Sequence, residues 1–313
     1  MFEPIKERIE AAGRIILHRH QNPDGDALGS QLGLWHVLCD TYPEKEIYAV
    51  GDMTSRYAFM AERPMDTLED GDFDGALCIL LDMSAAALVS DTRYKRARDT
   101  IRLDHHVYLE KFADLEVTDS SYESCCGLVT AMIMECGWTL SPAAAKLLYT
   151  GMITDSGRFR YASTSARTSR LAAFLMEREF DTTDSYRSLY ADDLFFIQLR
   201  ARMTLKIQAT PHRVAYIYTT REEADSFGAD TFTLSRGMVN VMSEIRGIDI
   251  WVNFTESDEG VYCEIRSSCH NINPVAVKYG GGGHQRASGA TLKDRTEAMC
   301  LLSDLFALTE ETR

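Results

Sequence analysis

Three short apolar runs in the first third of the chain each stop abruptly at carboxylates or imidazoles. Residues 14–19 (RIILHR) lead into His20-Gln-Asn-Pro-Asp24-Gly-Asp26, 75–81 (GALCILL) into Asp82, and 100–103 (TIRL) into Asp104-His105-His106. Each run reads as a buried strand that delivers charged groups to its carboxyl end. Between them, 27–40 (ALGSQLGLWHVLCD) has helical spacing, with Leu28, Leu32, Trp35 and Leu38 on one face. Residues 46–50 form a further strand, and helices are expected near 124–136 and 141–155. Strands alternating with helices predict an α/β fold whose sheet is mostly parallel, with helices on both faces. Such sheets bind ligands outside the carboxyl ends of their strands. His20, Asp24, Asp26, Asp82, Asp104, His105 and His106 all fall there.

The pattern changes in the second half. Around 180–210 the sequence is polar and helical, which suits a connection able to hinge. Strands follow at 213–218 (RVAYIY), 249–254 (DIWVNF) and 261–266 (VYCEIR), the last two flanking SDEG, a hairpin turn. Helices are expected at 221–226, 236–246 and 294–308. With 313 residues there is room for two domains. The reading is an α/β domain over 1–190, a helical linker over 191–210 and a smaller α+β domain over 211–313. The second domain carries Gly280-Gly281-Gly282-Gly283-His284-Gln-Arg286-Ala-Ser288-Gly289. Asn271-x-Asn273, just before it, reads as a helix cap.

Composition narrows the function. A net charge of −14 argues against gripping long nucleic acid, which needs an extended basic surface. It leaves room for a small phosphate-bearing substrate met by a few arginines and metal ions. No apolar run reaches membrane-helix length, and the first residues (MFEPIKERIEAAGRIIL) read as a short helix feeding a strand, so a cytoplasmic protein is expected. The eight cysteines contain no CxxC pair, and reduced thiols are expected. Cys263, Cys269 and His270 lack a fourth partner at zinc-site spacing, so no structural zinc is expected. Apolar residues near 125–150 fit either a core or a homodimer face.

The chemistry follows from the donor types. A metal that activates water for phosphoester cleavage wants oxygen and imidazole ligands. The loop from His20 to Asp26 offers three donors, with Pro23 to stiffen it and Gly25 to let it turn. Asp24 and Asp26 also fit a turn and the N-cap of the helix that follows. Asp82 ends six apolar residues, and a carboxylate there needs a partner. Asp-His-His at a strand end is hard to explain by packing. Asp155 closes a helical run, where Ser156-Gly157 could simply mark the C-terminus. Arg158 and Arg160 just beyond are natural phosphate binders. The four glycines leave backbone N–H groups bare for an anion, without the Lys-Ser/Thr of a P-loop. A flexible linker is the alternative, which His284, Arg286 and Ser288 oppose.

These motifs, in this order, resemble the DHH phosphoesterase superfamily, and GGGGHQRASG resembles the signature of its DHH-associated domain. The resemblance spans nearly the whole chain. It implies two divalent metal ions, with manganese favoured by mixed donors. His20 and Asp24 would hold one ion, Asp26, His105 and Asp155 the other, and Asp82 would bridge. His106 would face the substrate phosphate, and Asp104 would orient the histidine that follows it. Water activated between the ions would attack phosphorus in line. Gly281, Gly282, Gly283, His284, Arg286 and Ser288, with Arg266 on a neighbouring strand, would bind the substrate's far end across a cleft. Length and layout are similar to the nanoRNase/pAp-phosphatase group, which implies hydrolysis of short oligoribonucleotides, dimers to pentamers, and of 3′-phosphoadenosine-5′-phosphate. The alternative on the same domains is a cyclic-di-AMP or linear-dinucleotide (pApA, pGpG) phosphodiesterase. A non-enzymatic nucleotide sensor would lack a ligand, and none of the expected ligands is missing.

Overall fold

The computed structural model describes residues 1–310, which divide into two compact units, Met1–Ala191 and a second that begins at Asp192. In the first unit, β1 (Arg14–His18), β2 (Glu46–Ala49), β3 (Leu77–Leu81), β4 (Asp99–Asp104) and β5 (Leu115–Thr118) form a parallel sheet in the order β2-β1-β3-β4-β5. Alternation along the strands builds two cores. Ile15, Leu17, Ile79, Leu81, Ile101 and Leu103 face a layer of α-helices: α1 (Glu3–Ala11), α2 (Gly25–Thr41), α3 (Cys125–Cys136), α4 (Pro142–Asp155) and α5 (Ala166–Met176). Ile16, Cys78 and Leu80 face the other way, onto Phe73, Val89, Tyr94 and Ala113.

That second face departs from the expectation of helices on both sides. The segments between β2 and β3 and between β3 and β4 hold only short 3-10 turns. Pro64, Gly51, Gly71 and Gly75 break the first of them, and neither segment has a helical apolar stripe. β5 is also an addition, a half-buried edge strand without an apolar run.

Register positions the site. His18 pairs with Leu80 and Leu81 with Leu103, so continuing the same register sets His20, Asp82 and Asp104 level across three neighbouring strands. The amide of Asp82 donates to the Leu103 carbonyl at 3.0 Å. Helices α2 and α4 run antiparallel in close contact, so the first turn of α2 meets the last turn of α4. Glycines allow this approach: a Cβ on Gly29 would lie 2.7 Å from the Leu147 carbonyl oxygen. Gly29→Ala is therefore expected to push the helices apart, cost about 1–3 kcal/mol and lower the melting temperature. An unchanged melting curve would contradict that packing.

In the second unit, β6 (Gln208–Ala209), β7 (Val214–Thr219), β8 (Ile250–Ser257), β9 (Gly260–Ser267), β10 (Gly282–His284) and β11 (Ala287–Leu292) form a mixed sheet in the order β10-β11-β9-β8-β7-β6. Only β7 and β8 pair in parallel within it. The hairpin at SDEG forms as expected, with Gly260 at φ 129°. One face packs the helices Asn273–Lys278 and Arg295–Glu310, through Ala276, Leu301 and Leu305. On the other, Leu199 and Met203 of the helix Leu194–Leu205 are buried with Ala215 and Ile217. A regular helix over 236–246 does not form. A π turn (Thr233–Gly237) and a 3-10 turn (Val239–Met242) take its place. Asn253 of β8 holds this irregular stretch by donating to the Leu234 and Ser235 carbonyls, both at 2.7 Å. Among the described residues, no helix is long and apolar enough to cross a membrane.

Candidate metal centre

Three strand ends, the start of α2 and the end of α4 bring His20, Asp24, Asp26, Asp82, His105, His106 and Asp155 together. Asp24 caps α2, accepting from the amides of Asp26 and Ala27, both at 3.0 Å. Capping does not take Asp24 out of the cluster, because its carboxylate also lies 3.9 Å from His20 Nε2. Asp26, two residues further on, is buried. It accepts from the amides of Cys125 and Cys126 at 2.7 and 2.8 Å, at the N-terminus of α3.

Three overlapping sets of donor atoms converge, His20/Asp24/Asp82, Asp26/His105/Asp155 and Asp82/His105/His106, the atoms of each within 4.8 Å of one another. Asp82 stands between the first two. Its Oδ2 is 3.6 Å from His20 Nε2, and its Oδ1 is 3.5 Å from His105 Nε2. His105 Nε2 also lies 3.7 Å from Asp26 and 3.3 Å from Asp155. Most of these separations are long for hydrogen bonds. They do match the roughly 3–4 Å between two ligands that each sit about 2.1 Å from one ion. Asp82 Oδ1 is buried and has no hydrogen-bond partner. The donor set therefore fits divalent cations.

Electrostatics points the same way. Burial, reinforced by Asp82 and Asp155, holds the Asp26 carboxyl well above the ordinary carboxylate range, despite its two amide donors. Burial pushes Asp155 up to about 6; His105 pulls it down, while Asp82 and Asp24 push it further up. His105 is raised to about 10: burial opposes this, but Asp82, Asp26 and Asp155 outweigh it. His20 is likewise raised against burial to about 9, chiefly by Asp82. Asp82 moves below the usual range, because His105 and His20 outweigh its burial. Clustered carboxylates without metal hold protons on their neighbours, and cations would relieve that demand.

Asp104 faces away from these sets and onto the second histidine of the pair. Its Oδ1 lies 2.7 Å from His106 Nδ1, and its Oδ2 accepts from Arg102 Nη2 at 2.6 Å. Arg102 is fully buried and also donates to the carbonyls of Met83 at 2.8 Å and Glu110 at 3.0 Å. It ties together the loops that leave β3 and β4. Sequence reasoning read TIRL only as an apolar strand; an arginine inside such a run was the available signal. The backbone amides of Cys125 and Cys126 were missed too, with Ser124, the N-cap of α3, as their only mark.

A cavity lined by His20, Asp24, Asp82, Ser84, Leu88, His106 and Asp155 opens beside the donor sets. After Asp155 the backbone runs through Gly157, Arg158 and Phe159 in the left-handed region, at φ 56°, 64° and 61°. Such conformations cost about 1–3 kcal/mol each at non-glycine residues and collect at functional sites. They leave Arg158 exposed, its guanidinium carbon 3.7 Å from the centre of the Tyr190 ring. Arg160 is exposed as well.

The glycine run is a hairpin, not a string of bare amides. Gly282, Gly283 and His284 pair with Gly289, Ser288 and Ala287. The amides of Gly280 and Gly281 are spent on the Val277 and Ala276 carbonyls. Gly281 crosses Gly289 so closely that a Cβ would strike its carbonyl oxygen. Ser288 is buried and donates to the His284 carbonyl at 2.8 Å, while His284 and Arg286 are exposed. Asn271 makes the cap-like contact expected, accepting from the Asn273 amide at 3.3 Å. The Asn273 side chain does something else, donating to the Gly283 carbonyl at 2.7 Å and bracing the turn. Arg266 pairs with Glu264 at 2.9 Å on β9, beside Ala287.

Comparison with known proteins adds independent support. The model of the DHH family, N-terminal domain, matches residues 14–152, and the DHHA1 domain matches 227–310. The chain is 33% identical over 300 residues to the bifunctional oligoribonuclease and PAP phosphatase NrnA of Bacillus subtilis (strain 168), covering 95% of each. It is 31% identical over 290 residues to the probable bifunctional oligoribonuclease and PAP phosphatase NrnA of Streptococcus mutans, covering 92% of this chain and 93% of that one. Among solved structures, an exopolyphosphatase-related protein from Bacteroides fragilis matches with a TM-score of 0.81 and 25% identity, over 98% of this chain and 95% of that one.

Proposed function

Since the chain belongs to the DHH family of phosphoesterases, we propose that it hydrolyses short oligoribonucleotides and 3′-phosphoadenosine-5′-phosphate with the help of two divalent ions, manganese in preference to magnesium. The observation that carries this is the pair of donor sets beside one cavity, with Asp82 a member of the first and 3.5 Å from His105 of the second. The activities for which the relatives are named select the substrate class. His20 and Asp24 would hold one ion and Asp26, His105 and Asp155 the other, with Asp82 between. When bound, the ions supply Lewis acidity toward phosphate oxygens and water.

The chain's own groups do the rest. Asp26 is aimed by the amides of Cys125 and Cys126. Asp104, anchored by Arg102, holds His106 through Nδ1, so that Nε2 is presented to the substrate phosphate. Arg158, beside Asp155, supplies a cation for a further phosphate. In the second unit, His284, Arg286 and Arg266 bind a phosphate or base of the substrate, on a turn that Gly281, Gly282, Gly283, Ser288 and Asn273 keep in shape. Such a contact acts in binding more than in chemistry. His284→Ala is expected to raise KM about tenfold, the worth of one charge-assisted hydrogen bond, with kcat nearly unchanged. A fall in kcat at constant KM would remove His284 from this role.

The substrate class is tested by turnover with manganese on 3′-phosphoadenosine-5′-phosphate, 5′-phosphorylated oligoribonucleotides of increasing length and cyclic-di-AMP. Fast cleavage of the bisphosphate and of dimers to pentamers, falling off with length, is the expected result. Cleavage confined to cyclic-di-AMP or to its linear dinucleotide would assign the same centre to second-messenger turnover instead.

A further inference from the structure

We infer that Asp249, Cys269 and His270 form a second metal site, in the second unit, for one borderline-soft divalent ion of the zinc type. Spacing in the chain hides it, because Cys269 and His270 are adjacent and no nearby residue completes a set. The fold supplies the missing donor. Ile250 at the start of β8 pairs with Ser267 at the end of β9, so Asp249 lies beside the turn that carries Cys269 and His270. The carboxylate oxygen, the thiol sulfur and the imidazole nitrogen all lie within 4.8 Å of one another.

The turn is pinned where it needs to be. Ser268 donates its amide to the Asp249 carbonyl at 2.9 Å, and the Ser267 and Ser268 hydroxyls reach the same oxygen at 3.1 and 3.3 Å. The amides of Cys269 and His270 donate in turn to Ser267 Oγ, at 3.2 and 2.8 Å. Both candidate ligands are therefore fixed to the strand ends that hold the third. The Asp249 carboxylate is split between two neighbours. Arg213 Nη2 takes Oδ1 at 2.8 Å, while Oδ2 faces His270 Nε2 at 3.4 Å. Asp249 and His270 side chains are only 12% and 10% exposed, whereas Cys269 is exposed. One protein-free side thus remains for a water ligand, the usual make-up of a three-ligand zinc site. A thiolate selects zinc or cobalt over manganese and magnesium, so the ion here differs from the one the carboxylate-rich centre favours.

The test is a cobalt titration of the full chain after removal of metal by a chelator. A thiolate-to-cobalt charge-transfer band in the near ultraviolet should level off at the amplitude of one thiolate–cobalt site per chain once enough cobalt is added to fill the phosphoesterase centre as well, be bleached by zinc, and be lost in Cys269→Ser. The donor sets of the phosphoesterase centre contain only carboxylates and imidazoles, so cobalt bound there produces no such band. Cys269 is exposed, and its serine variant should melt like the parent. Asp249→Asn should weaken zinc retention on gel filtration. Absence of the band in the parent chain, or its persistence in Cys269→Ser, overturns the site and leaves an ordinary Asp249–His270 contact.

Discussion

Asp82→Asn is expected to lower kcat by at least ~10³-fold while the chain still folds. Asp82 reaches both donor sets, with His20 on one side and His105 on the other. In the proposed centre its loss would remove a shared ligand rather than one of several equivalent ones. The substitution is chosen for the backbone: Asp82 sits at φ 60°, which asparagine tolerates better than most side chains. Turnover with saturating manganese and a thermal melt check the two halves together. Loss of activity with a cooperative melt supports a role in the centre, whereas activity within tenfold of the parent would contradict it.

Arg102→Ala is expected to destabilise the first unit by about 3–5 kcal/mol, the cost of breaking a buried ion pair by removing one partner. Truncation strands the fully buried Asp104 carboxylate together with the Met83 and Glu110 carbonyls. Activity should fall as well, since Asp104 is what holds His106. Arg102→Lys should recover little of either, because one ammonium cannot span a carboxylate and two carbonyls as the guanidinium fork does. Urea unfolding measures the cost. A loss below about 1 kcal/mol, typical of an exposed ion pair, would show that the network is not sustained in solution.

The sequence displayed the donors more clearly than their supports. Apolar strands that end in charge are visible because burial demands a simple pattern, and the parallel register then has little choice about what it brings level. The supports obey no such pattern. Arg102 sits among apolar neighbours and is legible only as an anomaly. The Cys125 and Cys126 contribution comes from backbone amides, which leave no trace in residue type. Gly25, Gly29 and Gly33 recur every four residues in α2, a stripe that says where another helix must come close, yet not which one. Around 236–246 helical spacing was present, but the side chain of Asn253 binds the backbone there and a π turn results. At the glycine run, residue type suggested free amides, whereas strand pairing uses the segment as a hairpin.

Phosphate release from 3′-phosphoadenosine-5′-phosphate by the chelator-stripped chain, before and after manganese is added back, tests the central claim most directly. Negligible release without metal, full turnover on addition, and no recovery in Asp82→Asn are the results expected of a centre built on these two donor sets. Undiminished release by the stripped chain, or restoration by manganese in Asp82→Asn equal to the parent, would contradict it.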